Sequence, residues 1–213
     1  MSQKISIYYV RHGQTYFNLK DYIQGQCDAP LTQKGFEVAK KLGEMVKHIP
    51  FQRAYSSDLR RAMETLDIIL EKHTLEPTYS KLLRELNFGL YEGDIGTYFW
   101  RDMSQKYGFN LNDMSFMERY AYLYHPTDNP TGEKLDDFIN RLKEAFQEIV
   151  EAATIDNHQD ILVVGHGLAI HAILEAFGVH APENSITNSS VSKIVYENHE
   201  FKVEYFGREE GPF

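Results

Sequence analysis

Short apolar runs along the chain predict the strands of a buried sheet. The runs Ile5 to Val10 and Ile161 to Val164 are almost continuously hydrophobic and rich in β-branched residues. Such runs are typical of strands that are covered on both faces. A shorter run from Arg53 to Ser57 and a weaker one around Tyr79 to Leu83 predict two further strands.

Apolar residues at a spacing of three and four predict four amphipathic helices between these strands. The first helix begins after Thr32, a plausible N-cap, and ends at His48 before Pro50. The second follows Ser57 or Asp58, either of which is a good capping residue. The last two are predicted from about Thr131 to Ala153 and from Leu168 to Phe177.

Alternation of strands and helices predicts an α/β fold with three layers, a mostly parallel sheet flanked by helices on both faces. Val191 to Tyr196 and Phe201 to Phe206 predict a closing hairpin, and residues 207–213 are expected to be loose. In the stretch 95–130 the periodicity degrades and aromatic residues accumulate. This stretch is predicted to be a helical insertion, placed as a lid over the C-terminal edge of the sheet, within one domain spanning 1–213.

Composition and charge restrict the classes of function. The formal net charge is −9 and no dense run of Lys or Arg occurs, which argues against a nucleic-acid partner. A phosphorylated ligand would need a local concentration of cations in such an acidic chain. Cys27 is the single cysteine, and no apolar run reaches the ~20 residues that span a bilayer. A cytoplasmic protein that does not enter the membrane is therefore expected.

Reactive side chains follow the predicted strands, where parallel sheets bind their ligands. His12 and His166 each stand between a strand and a glycine, Arg61 follows the second strand, and Arg84-Glu85 follows the third. Singly, a histidine at a strand end is more often a structural residue, and a lone carboxylate is more often solvated. Together these groups predict one site. A metal ion is a poor occupant, because arginines in the same pocket would repel it.

Five short sequence elements succeed one another along nearly the whole chain. They are Arg11-His12-Gly13-Gln14-Thr15 with Asn18, the stretch Gln24 to Thr32, the stretch Ser56 to Ala62, the stretch Leu83 to Gly93, and Gly165-His166-Gly167. In this order they resemble the histidine phosphatase superfamily, in its phosphoglycerate mutase-like branch. Within the third element the family pattern selects Arg61 and not Arg60.

The resemblance implies that His12 attacks phosphorus and forms a covalent intermediate, which splits the hydrolysis into two easier steps. It implies that Glu85 protonates the leaving group and then activates water. The residue after His166 is Gly167, so the aspartate that donates the proton in the acid-phosphatase branch has no counterpart here. The catalytic and phosphate-binding residues implied are Arg11, His12, Asn18, Gly25, Arg61, Glu85, His166 and Gly167, with no metal and no cofactor.

Three functions remain open from the sequence. A phosphatase acting on a small phosphorylated metabolite is favoured, because the insertion lacks the adjacent arginines of the related mutases and is rich in aromatic residues. A phosphoglycerate mutase that depends on a phosphorylated cofactor is the second possibility. A non-catalytic phospho-ligand binder is the third, although it would be expected to lack His12 or Glu85. Lys134, which stands where relatives commonly have serine, would face either the pocket rim or solvent, and the protein would be a monomer or a homodimer.

Overall fold

A mixed sheet forms the centre of the computed structural model, which describes residues 3–115, 117–179 and 186–213. The strands within these ranges are β1 (Ile5–Arg11), β2 (Arg53–Ser57), β3 (Pro77–Ser80), β4 (Asp160–Gly165), β5 (Val191–Glu197) and β6 (Glu200–Arg208). Their order across the sheet is β3-β2-β4-β1-β5-β6. The first four of these are mutually parallel, and β5 and β6 add the antiparallel hairpin at one side.

Helices cover both faces of this sheet. They are α1 (Tyr16–Leu19), α2 (Gln33–Val46), α3 (Arg60–Leu70), α4 (Gly96–Tyr107), α5 (Leu135–Ile155) and α6 (Gly167–Ala176). Side chains alternate across a strand, so Tyr8 and Val10 of β1 pack with α2 and α3, whereas Ile7 and Tyr9 pack with α5 and α6. The predicted three-layer α/β fold is confirmed. None of the helices in the described ranges combines the length and apolarity needed to cross a bilayer.

The pairing of β1 with β4 places the functional segments side by side. Arg11 is opposite Gly165 in the register, and the backbone N–H of His12 continues the ladder by donating to the Gly165 carbonyl at 2.9 Å. Both strands therefore end at the same level, and the residues that follow them emerge at one edge of the sheet. This edge is where ligands bind in parallel α/β sheets.

Several element boundaries differ from the prediction for local reasons. The third strand ends at Ser80, because its hydroxyl accepts from the Leu82 N–H and starts a 3₁₀ turn. Helix α3 takes Leu59 as its N-cap residue, while the Ser57 hydroxyl accepts from the Leu59 N–H and Arg84 pairs with Asp58. Strand β6 extends to Arg208, further than expected.

Helix α5 begins at Leu135, two residues after Glu133, and α6 begins at Gly167. The short α1 was not predicted. Its Thr15 hydroxyl accepts from the Asn18 N–H, while Asn18 reaches back to the Thr15 N–H, which forms a capping box.

The described part of the insertion 95–130 contains α4 and two short 3₁₀ turns, Leu111–Asp113 and Glu118–Tyr122. Aromatic edge-to-face contacts hold it together, with Trp100 and Tyr120 ring centroids 5.0 Å apart. The Tyr120 ring also packs edge-to-face on Phe88 with centroids 6.1 Å apart, so this part of the insertion lies beside the segment that carries Glu85. Burial, followed by the charge of Glu85, raises the pKa of Tyr120. Phe116, another aromatic residue of the stretch, lies outside the described residues.

Candidate active site

Two histidines meet at the ends of β1 and β4. The ring centroids of His12 and His166 are 5.3 Å apart, and the two residues are 4% and 0% exposed. Their proximity follows from the strand register, because each histidine directly follows the last residue of its strand. Among the sequence-predicted site residues, these two lie at the centre of the site.

The protonation of His12 is set by its two ring partners. Its Nδ1 lies 2.8 Å from the Gly13 carbonyl oxygen, which can only accept, so Nδ1 carries the ring hydrogen. Its Nε2 accepts from the Nε–H of Arg61 at 3.3 Å and therefore has a lone pair. Burial, followed by the charges of Arg61 and Arg11, holds the pKa of His12 well below its ordinary value. His12 is thus a neutral imidazole with a lone pair at Nε2.

Arg61 is fully buried and uses all five of its N–H donors within the protein. One donor is directed at His12 and one at Nδ1 of His166, 3.2 Å away. The remaining three donate to the Gly25 carbonyl at 2.6 Å, the Cys27 carbonyl at 2.9 Å and the Asp28 carboxylate at 2.9 Å. The guanidinium plane is consequently fixed against both histidines. Its neighbour Arg60 is instead exposed and pairs with Glu64.

His166 presents a hydrogen-bond donor to the site. Since Arg61 donates to Nδ1, the ring hydrogen of the neutral imidazole is at Nε2. That Nε2 is buried and has no hydrogen-bond partner in the part of the chain that the structure describes. Burial, followed by the charge of Arg61, holds the pKa of His166 well below its ordinary value.

Arg11 lies against the N-terminus of α6. Its Nη1 donates to the Ile186 carbonyl, while its buried Nε has no partner among the described residues. A Cβ at Gly167 would lie 3.2 Å from that Nε and 3.3 Å from Cζ. Glycine at the start of α6 therefore lets the guanidinium approach the helix terminus, where N–H groups and charge both favour an anion.

Glu85 brings a buried carboxyl group to the same place. One oxygen accepts from the Leu86 N–H at 3.0 Å and the other from the Leu168 N–H in the first turn of α6 at 2.9 Å. Burial raises the pKa of Glu85 and outweighs the opposing effect of these amides and of the arginines. Such a group is suited to donate a proton at a higher pH than a solvated glutamate.

Asn18 and Gly25 occupy different positions around this centre. The Asn18 Oδ1 accepts from the Thr15 N–H at 3.1 Å and from Nδ2 of Asn188 at 3.2 Å, so its own amide hydrogens are the donors left for a ligand. Gly25 supports Arg61 through its carbonyl oxygen. A Cβ at Gly25 would lie 2.2 Å from the Leu86 carbonyl oxygen, so no larger residue fits without moving the backbone.

Three supporting residues escaped the sequence analysis. The Tyr9 hydroxyl accepts from the His166 N–H at 2.7 Å and donates to the His166 carbonyl at 3.0 Å. The Thr65 hydroxyl accepts from the Gly13 N–H at 2.9 Å. The Asn188 amide donates to the His12 carbonyl at 3.0 Å. Only Thr65 has a local signal, because it lies one helical turn after Arg61.

Cys27 borders the site through its carbonyl oxygen, which accepts from Arg61, whereas Lys134 is exposed. Burial, followed by the neighbouring Glu92, raises the pKa of the Cys27 thiol to about 12, so the thiol is protonated at neutral pH. The exposed Lys134 lies over the ring of Tyr124 at 5.1 Å. Within the described ranges no group of three or more His, Cys, Asp or Glu side chains is arranged to hold a metal ion. His180 lies outside those ranges.

Known proteins resemble this chain in sequence and in fold. A probable phosphoglycerate mutase of Proteus mirabilis is 30% identical over 201 residues, covering 91% of this chain and 86% of the relative. A broad-specificity phosphatase of Saccharomyces cerevisiae is 34% identical over 176 residues, covering 80% and 69%. The crystal structure of a phosphoglycerate mutase from Bacillus anthracis superposes with a TM-score of 0.89 at 34% identity, covering 98% and 95%. The family model matches residues 7–208, and the chain belongs to the histidine phosphatase superfamily, branch 1.

Proposed function

We propose that this protein is a metal-independent phosphatase that hydrolyses a phosphate monoester through a phosphohistidine on His12. The observation that carries the proposal is the state of that imidazole. Nε2 of His12 has a lone pair and adjoins Arg61, while Arg11 and His166 stand close by. A neutral nucleophile beside fixed cations is what attack on a phosphate dianion requires.

In the first step the Nε2 lone pair forms the N–P bond as the P–O bond to the leaving alkoxide breaks. Glu85 transfers its proton to that oxygen, so the product leaves as an alcohol. Bond formation consumes the lone pair that accepted from Arg61. The Nε–H of Arg61 is thereby released and becomes available to a non-bridging oxygen of the new phosphoryl group.

In the second step water attacks phosphorus and the N–P bond breaks, which returns the electron pair to His12. Glu85, now ionised, accepts a proton from that water, and inorganic phosphate leaves. The Nε2–H of His166 and the free donors of Arg11 and Asn18 would hold the phosphoryl oxygens through both steps. The arginine charges perform the role that a divalent cation has in other phosphatases, and they would oppose its binding.

The distribution of charge in the insertion favours a phosphatase over a mutase. Arg101 pairs with Asp102, and Lys106 pairs with Asp128, so acidic neighbours neutralise both of these side chains. A mutase must also bind the carboxylate of phosphoglycerate, and this binding requires further cationic side chains without acidic partners. The aromatic residues that dominate the insertion, among them the exposed Tyr98 and Tyr122, support a small metabolite whose organic part is uncharged or partly apolar.

Phosphoglycerate mutase is the second candidate, and the names of relatives support it as directly as they support a phosphatase. The test is phosphate release from a panel of phosphorylated metabolites with chelator present. Isomerisation of 3-phosphoglycerate, with catalytic 2,3-bisphosphoglycerate, is followed in parallel. We expect release from one or a few esters without isomerisation. Isomerisation with little release would identify a mutase, and neither activity would favour a phospho-ligand binder.

A further inference from the structure

We propose that Arg141, fixed by Glu133, is a positioning residue that sets the place of the Glu85 carboxyl group. This inference rests on the proposed function, because it concerns the residue that would donate the proton. Arg141 lies in the second turn of α5, and its side chain is 16% exposed. It stands outside the set of residues that the sequence motifs indicated.

The Arg141 guanidinium uses all five N–H donors on the segment around Glu85 and on Glu133. Nη1 donates to the carbonyls of Leu82 at 2.9 Å and Arg84 at 2.7 Å, and Nη2 donates to the Glu85 carbonyl at 2.9 Å. The Glu133 carboxylate accepts from Nε at 2.6 Å and from Nη2 at 2.9 Å. Three carbonyls and one carboxylate thus share a single planar cation.

Glu133 holds the segment from its other end. Its Oε2 also accepts from the Asn87 N–H at 3.1 Å, and its own N–H donates to the Asn87 carbonyl at 2.9 Å. Glu85 therefore lies between backbone groups that the Arg141–Glu133 pair binds on both sides. The pair is 16% and 15% exposed, so solvent screens it little.

This segment needs external support, because residues 84–88 form neither helix nor strand. Carbonyl groups of irregular backbone must find donors elsewhere, and Arg141 supplies donors to two of them, at Arg84 and Glu85, and a third to Leu82 in the preceding 3₁₀ turn. Leu83 and Leu86 anchor the same segment in the core at 1% and 0% exposure. A variant at Arg141 is therefore expected to fold, while the backbone that carries the Glu85 side chain relaxes.

The test separates proton donation from phosphate binding by changing the leaving group. Arg141→Lys keeps a charge but has three donors and no planar fork. We expect kcat/KM for glycerol 2-phosphate to fall on the order of 10–100-fold, the scale of a misplaced catalytic group. The value for p-nitrophenyl phosphate should change less than about threefold, since its leaving group needs no proton. Inhibition by inorganic phosphate should be unchanged, because Arg11 and Arg61 are untouched.

Two variants complete the design. Glu133→Gln keeps the shape of the partner and removes its charge, and it should show the same dependence on the leaving group to a smaller extent. Arg53→Lys alters another guanidinium with a carboxylate partner, Asp156, at the opposite end of the sheet. This control variant should leave kcat/KM for both esters unchanged.

Equal losses on both esters, or weaker phosphate inhibition, would show that Arg141 serves the fold or the phosphate site and would overturn the positioning role. Full activity of Arg141→Lys on both esters would overturn it as well. If the wild-type protein releases phosphate from neither of these esters nor from any ester of the metabolite panel, the proposed phosphatase function itself is wrong, which is a distinct outcome.

Discussion

The Nε–H of Arg61 is directed at Nε2 of His12 over 3.3 Å, so the buried cation contacts the nitrogen that would attack phosphorus. The same guanidinium contacts Nδ1 of His166 and so fixes which nitrogen of that ring carries hydrogen. One side chain therefore sets the proton arrangement of both histidines. This arrangement, an acceptor at His12 and a donor at His166, is the starting state that phosphoryl transfer to an imidazole requires.

Replacing His12 with alanine should abolish turnover. We expect a loss of about 10³-fold or more, typical of removing a covalent nucleophile. Rapid quenching with a ³²P-labelled ester should trap label on the wild-type protein that is acid-labile and base-stable, and none on the variant. His73→Ala is the matched control, because His73 packs against Phe51 away from the site. Label retained by the His12 variant would eliminate the proposed nucleophile.

Replacing Glu85 with glutamine should slow alkyl phosphates by about 10²-fold or more, because general acid catalysis contributes on that scale. The kcat/KM for aryl phosphates should fall much less, since their good leaving groups depart without a proton. The exposed Glu37, which accepts from Gln33, supplies the control variant Glu37→Gln. Equal losses on alkyl and aryl esters would argue against the acid role.

Acidification should destabilise the fold through His12 and His166. The folded state keeps both imidazoles neutral, with pKa values well below the ordinary value of 6.5, whereas the unfolded chain protonates them. The unfolded state thus binds more protons below about pH 6.5, and the free energy of unfolding decreases by up to about 1.4 kcal/mol per pH unit for each histidine.

The measurement is urea unfolding between pH 7.5 and 5.5. Acidification stabilises the fold through Glu85, because the pKa of Glu85 is raised in the folded state. The informative comparison is therefore between the pH dependence of the free energy of unfolding of wild type and that of His12→Gln. The variant should show the weaker pH dependence. Identical slopes would mean that His12 is not held neutral by folding.

Replacing Tyr9 with phenylalanine should cost about 1–3 kcal/mol, the penalty for leaving buried polar groups unpaired. The lost hydroxyl pairs both the N–H and the carbonyl of His166. The change is read from the urea midpoint at constant m-value. Tyr79→Phe is the control, because the Tyr79 hydroxyl hydrogen-bonds Asp67 at the surface. Its removal should lower the free energy of unfolding by less than about 0.5 kcal/mol. Similar costs for the two variants would contradict the role given to Tyr9.

Alkylation of Cys27 should be slow in the folded protein. With a thiol pKa of about 12, the reactive thiolate is scarce at pH 8.5. We expect iodoacetamide to react at least about 10²-fold more slowly than with the urea-unfolded chain, whose thiol has an ordinary pKa. Comparable rates would show that Glu92 and burial do not suppress ionisation of the thiol.

The amino-acid sequence by itself determined the layered α/β fold, family membership and the central residues of the candidate site. Apolar runs marked β1 and β4 because strands buried on both faces are continuously hydrophobic. Parallel strands end at the same edge, so His12 and His166 were expected to meet there. The pattern around Arg61 distinguished it from its exposed neighbour Arg60.

The tertiary structure alone decided the hydrogen-bond partners that set the chemistry. Tyr9 reaches His166 across 157 positions of the chain, and Asn188 reaches the His12 carbonyl across 176. Arg141 donates hydrogen bonds to backbone carbonyls more than fifty residues before it in the chain. Helix and strand periodicity describes neighbours within a few residues, whereas these contacts depend on how whole elements pack. The ionisation of His12 and Glu85 follows from the same packing, because burial is the largest cause of both pKa shifts.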